Sequence, residues 1–135
     1  MTGTLRLLPP MRIWRLLFES TELILALHSI ALGLWLALPL NTFASSATFS
    51  VMAVLAPEWA WSVVILAGGL GLMAAVVVGN VRWRLRLLLI LAHLWLMVAA
   101  AMLVANYQSI AAISYVFFFA IYLRAYLRLA ALNVR

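Results

Sequence analysis

The sequence predicts an all-α integral membrane protein, a four-transmembrane-helix bundle with both termini in the cytoplasm and a short interfacial helix between spans 1 and 2. Three observations predict it. Hydrophobic residues fill 69% of the 135 positions, against roughly 45–50% in an average soluble domain, and only 9% are charged. The apolar residues gather into four stretches, each near the length needed to cross a hydrocarbon core. The arginines all fall on one side of the resulting layout. A soluble chain of this size would leave too much of that surface in water. A soluble enzyme, a disordered tail and a nucleic-acid module are excluded.

The first span is expected over residues 16–40, with an uninterrupted apolar centre from Leu23. An alternative is a cleaved leader, because a basic start and an apolar run precede Ala44-Ser45-Ser46-Ala47. The apolar core is longer than the ~7–15 residues of a leader, and two glutamates stand before it, so a retained helix is expected. The segment 43–56 is too apolar for a solvated loop. Phe43, Phe49, Val51, Met52, Val54 and Leu55 suit a short helix in the outer interface, with Ser45 or Ser46 as its N-cap. Pro57 stops that helix and suits the first turn of the next, with Glu58 beside the positive end of its dipole.

The second, third and fourth spans are expected over residues 60–79, 87–105 and 110–126. Arg124 enters the fourth near its end, where a guanidinium can snorkel to the interface. The chain holds nine arginines and no lysine, for a net charge of +6. Arg6, Arg12 and Arg15 precede span 1; Arg82, Arg84 and Arg86 separate spans 2 and 3; Arg124, Arg128 and Arg135 close the chain. The loops 41–59 and 106–109 carry none, which places the termini and the central connection in the cytoplasm of a bacterial cell. The bilayer and its anionic headgroups are therefore the expected partners, and nucleic acid is not. Trp35, Trp59 and Trp61 fit the outer interface, and Trp14 and Trp83 the inner one.

Ionisable groups within spans are the first candidates for function, since their placement there is costly. Glu19 and Glu22 share one face at the start of span 1, continued by Ser29 and Gly33. A carboxylate there could bind a proton or cation. The plainer expectation is stabilisation at a helix N-terminus, with Arg15 four residues before Glu19. His28 and His93 sit at similar depth on two spans that run in the same direction. No cofactor is expected; the alternative is haem b held between these histidines. A lone membrane histidine more often bonds to a neighbouring helix.

Gly71, Ala75 and Gly79 repeat every fourth residue on span 2, beside Gly68 and Gly69. Such a strip permits close helix approach, within the bundle or between copies of the chain. Tyr115, Tyr122 and Tyr126 lie near one face of span 4 beside Phe117, Phe118 and Phe119, a pattern expected of packing. There is no cysteine, and no catalytic triad, carboxylate cluster or phosphate-binding glycine loop. No enzymatic activity is expected.

Three stretches, LWLALPLNTFASS (34–46), VLAPEWAWS (54–62) and ISYVFFFAIYLRAYLRL (113–129), resemble small four-span membrane proteins of tailed phages and prophages. The resemblance implies the host cytoplasmic membrane and no catalytic residues. Within it the leading expectation is a holin-like or other accessory protein that inserts and oligomerises. The alternative is a membrane partner-binding protein that blocks superinfection, with Trp59 and Trp61 on its outer surface.

Overall fold

The computed structural model describes residues 21–108 and 110–133. Every regular element among them is helical. In chain order these are α1 (Thr21–Ala37), α2 (Thr42–Ser45), a 3-10 turn (Ala47–Phe49), α3 (Ser50–Leu55), α4 (Glu58–Val78), α5 (Val81–Ala105) and α6 (Ile110–Asn133). Three of them, α4, α5 and α6, are long and apolar enough to cross a membrane, which marks the chain as a membrane protein. The described part of α1 has 17 residues. The beginning of the first expected span, Glu19 included, lies outside the described residues.

The helices begin and end where local chemistry requires. Past the end of α1, Pro39 restricts its neighbour and offers no N–H, so the chain turns into the connecting segment. Asn41 adopts a left-handed conformation (φ 48°), which asparagine tolerates better than most residues. The segment expected as one helix over 43–56 is instead α2, the 3-10 turn and α3 in succession. Ser46 accounts for the break: its backbone is extended and its Oγ accepts a hydrogen bond from the Thr48 N–H at 3.3 Å, capping the turn.

The connection between α4 and α5 is shorter than the sequence suggested. Gly79 takes a left-handed conformation (φ 74°), and its N–H bonds to the Val76 carbonyl while the Asn80 N–H bonds to that of Ala75. This pair of bonds is a Schellman ending. Asn80 then caps α5 by accepting from the Trp83 N–H at 3.2 Å. Arg82, Arg84 and Arg86 are therefore on the first turns of α5, not in a loop. Arg86 lies over the Trp83 ring, 5.4 Å from its centroid. At the other end, α6 continues past Arg124 and Arg128 instead of stopping near Tyr126.

The four long elements pack in a ring in which α1 lies closest to α4, and α5 to α6. The buried face of α4 is made by Ser62, Ile65, Gly69 and Leu72, a 3-4 spacing suited to a shallow helix crossing. A methyl group on Gly33 would lie 2.8 Å from the backbone nitrogen of Leu66, and one on Gly69 would lie 2.9 Å from that of Ile30. The α1 and α4 backbones thus touch, as small residues allow in membranes. The members of the expected strip have separate surroundings. Gly71 faces the Leu87 side chain at ordinary distance, Ala75 is buried, and Gly79 belongs to the helix ending. The short helices close one end of the ring, with α3 and the 3-10 turn resting on α5.

Gly33→Ala and Gly69→Ala should each lower stability by about 1–3 kcal/mol, because the clash is with backbone that cannot rotate away. Gly71→Ala should change it by less than about 0.5 kcal/mol. Unfolding of the purified protein in mixed detergent micelles measures all three. Equal effects would show that α1 and α4 do not make this contact.

Candidate functional site

The interior holds a small set of polar groups, each delivered by a different helix. Ser29 on α1 is fully buried, and its Oγ lies 2.7 Å from the hydroxyl of Tyr122 on α6, which is also fully buried. The Tyr122 hydroxyl donates to the Leu25 carbonyl at 2.6 Å. Leu25 is one turn before Ser29, so a single phenol ties two levels of α1 to α6. Between α1 and α4, Ser62 Oγ donates to the Gly33 carbonyl at 2.8 Å. That bond reaches a backbone oxygen because Gly33 has no side chain to cover it. In an apolar medium, groups of this kind must find partners inside the protein.

Beside this chain of bonds lies an aromatic cluster. The His28 ring stacks on Phe118, with centroids 3.9 Å apart, and lies 5.2 Å from the ring of Trp95. Trp95 is fully buried and stacks on Tyr115 at 5.5 Å. The Trp95 ring also lies near that of Tyr122, with centroids 6.3 Å apart. The aromatic residues expected to pack on span 4 do so, but Tyr122 also supplies the bond that joins the helices.

The structure does not bring His28 and His93 to one site. His93 precedes Trp95 by two positions, which is about 200° around an α-helix, so it faces outward as Trp95 faces in. His93 is exposed beside Val64 and Gly68 of α4, and its Nδ1 donates to the Leu89 carbonyl at 2.8 Å. One face of His28 is occupied by Phe118. The two histidines thus have different surroundings, one against the aromatic cluster and one exposed. Among the described residues, no three His, Cys, Asp or Glu side chains gather as a metal site would need.

Glu22 is held by Arg84 across the start of the bundle. Arg84 Nε donates to Glu22 Oε2 at 2.6 Å, and the terminal guanidinium nitrogen also meets that oxygen. Both side chains are largely covered, so this carboxylate is an anchor for α5 on α1. The other described carboxylate, Glu58, does not act on its own helix alone. It accepts from the N–H groups of Thr42 and Phe43 at 3.1 and 3.3 Å, tying α2 to the start of α4. Trp61 completes this anchoring: its indole N–H donates to the Met52 carbonyl at 3.1 Å, and the side chain is only 5% exposed. Of the two tryptophans expected on the outer surface, Trp59 alone presents itself, at 69% exposure. Trp61 turns inward because the chain folds back over it.

Sequence reasoning placed Ser29, Gly33 and Tyr122 on helix faces but did not pair them. The signal was present: each is a polar or minimal residue near mid-span, where an unpaired group would be costly. Arg84 as the partner of Glu22 was also missed, being assigned to a loop. No protein family, curated protein or solved structure matches the chain.

Tyr122→Phe should cost about 1 kcal/mol, since it strands the buried Ser29 hydroxyl and removes the added bond to the Leu25 carbonyl. Tyr126→Phe, at a half-buried position on the same helix, should cost less than half of that. Detergent unfolding of the two variants side by side tests the bond, and equal stabilities would remove it.

Proposed function

We propose that the chain is a non-enzymatic, four-span protein of a bacterial cytoplasmic membrane, of the small phage type its sequence resembles, and that it acts by engaging a membrane partner at its outer face. In this reading α1 is the first span, the arginines of α5 and α6 mark the cytoplasmic side, and α2 to α3 lie in the outer interface. The absence of arginine from the described connections 38–57 and 106–108 supports that orientation.

The observation that carries the reading is the ordered cap. A connection that merely joined two spans would need only a few residues. This one is folded, and it is fastened by Glu58 and Trp61. It turns Val54, Leu55 and Trp59 outward, with Val54 86% exposed. Apolar side chains on a fixed scaffold suit recognition of another protein at the level of the headgroups.

Holin-like lesion formation is a second reading, favoured by one feature. Of the three long helices α6 is the least covered, and it exposes Ile113, Ser114 and Phe117 along its length. A polar serine among apolar residues is suited to association with another copy.

Cells expressing the chain should resist phage challenge, and Val54→Ser with Trp59→Ala should abolish that resistance while membrane insertion and amount stay unchanged. Trp61→Ala is expected to unfold the cap and is a poor surface variant. Resistance that survives the double substitution would reject the partner reading. Membrane potential followed during induction, with a cytosolic muralytic enzyme co-expressed, separates the second reading: abrupt depolarisation with lysis supports a lesion, and a steady potential rejects it.

A further inference from the structure

His93 is exposed on α5, outside the packed interior of the bundle. It stands at the centre of Val81–Ala105, so about 18 Å of helix separates it from either end. A hydrocarbon core is about 30 Å thick, which puts the residue deep within it. Imidazole is too short to carry its nitrogens to the headgroups, as arginine and lysine do. Its Nδ1 donates to the Leu89 carbonyl at 2.8 Å, which leaves Nε2 as an acceptor. Nε2 meets no partner among the described residues. A polar atom facing hydrocarbon is costly, because no water is at hand there to satisfy it.

The missing partner must reach this depth, and lipid headgroups do not. The other exposed polar side chains on the described long helices fail the same requirement. Ser114 is one turn inside the start of α6, and Arg82 and Arg86 sit on the first turns of α5. Arg124 and Arg128 carry guanidinium groups that extend to the headgroups. His93 of a second copy meets the requirement by symmetry. Two copies with the same orientation in one membrane are related by an axis along its normal, so equivalent residues lie at equal depth.

The surface around His93 suits a parallel helix pair. Ile90, His93, Met97, Ala100 and Val104 are all exposed, at spacings of three, four, three and four residues. That repeat is the seam of a left-handed helix pair, in which equivalent positions of two parallel helices lie side by side. An open groove of about 220 Å³ beside it, lined by His93, Met97 and Gly68 of α4, has room for a side chain of the facing helix. A single polar residue in an apolar seam fixes the register and the number of chains. We propose that α5 is the interface of a parallel two-fold dimer, in which His93 of one copy hydrogen-bonds to His93 of the second. One imidazole keeps its proton on Nδ1 and accepts at Nε2; the other carries its proton on Nε2 and donates. Both stay neutral, so no charge enters the hydrocarbon. This pairing rests on α5 crossing a membrane, and not on what the outer cap binds.

The chain has no cysteine, so single cysteine substitutions in the full-length protein report the contact directly in the membranes of expressing cells. Oxidation with copper phenanthroline should trap a disulfide dimer from Met97→Cys and from Ile90→Cys, and not from Phe117→Cys on α6. Adding His93→Leu to Met97→Cys should lower the dimer yield at least fivefold. His93→Asn, which keeps a donor and an acceptor, should restore part of that yield. His93 is exposed, so neither change disturbs the core. A dimer that forms equally well with His93→Leu present would overturn the pairing, as would one trapped only through Phe117→Cys. An alkaline wash of the same membranes checks the span separately. Release of the chain would overturn the crossing on which the pairing rests, while retained chain that gives no Met97→Cys dimer would overturn the pairing alone.

Discussion

The structure depends on backbone contact between α1 and α4. Gly33 sits against Leu66 and Gly69 against Ser29 and Ile30, at distances that leave no space for a Cβ on either glycine. Lipid tails are as apolar as leucine, so hydrophobicity does not favour one helix over lipid as a neighbour. Close packing does, and here it also sets the positions of the polar groups. With α1 pressed onto α4, the Gly33 carbonyl is within reach of Ser62, and Ser29 is turned to meet Tyr122. The second pair, α5 and α6, is then joined to the first through Tyr122 and through the Glu22–Arg84 ion pair.

The glutamates illustrate how position changes the meaning of a charge. On sequence grounds an acidic residue near a span is a candidate for transport. In the folded chain Glu22 and Glu58 both join separate elements, one by a guanidinium and the other by two backbone N–H groups. Among the described residues, both carboxylates thus join elements of the bundle.

Much of the architecture was legible before any coordinates, because membrane helices are bound by length and composition. The elements α4, α5 and α6 fall where the apolar runs lie, and the ends moved only where capping residues or arginines extended a helix. What was not legible is which residues meet. The Gly71, Ala75, Gly79 strip has the right spacing for an interface and Ala75 is buried, but within the chain the closest backbone approach is made by Gly33 and Gly69. Spacing defines a face, and the choice between two faces of one helix rests on the partner. Trp61 shows the same limit: its place in the chain suggested an exposed belt residue, and only the return of the chain through Met52 covers it. His93 and Trp95 are two positions apart, and one is exposed while the other is buried.

The two-residue turn at Gly79 and Asn80 has a consequence for how the chain reaches its final state. A connection that short holds the end of α4 beside the start of α5, so the two helices form a tight hairpin. Arg82, Arg84 and Arg86 gather at the tip of that hairpin, a concentration of positive charge for which passage through hydrocarbon is costly.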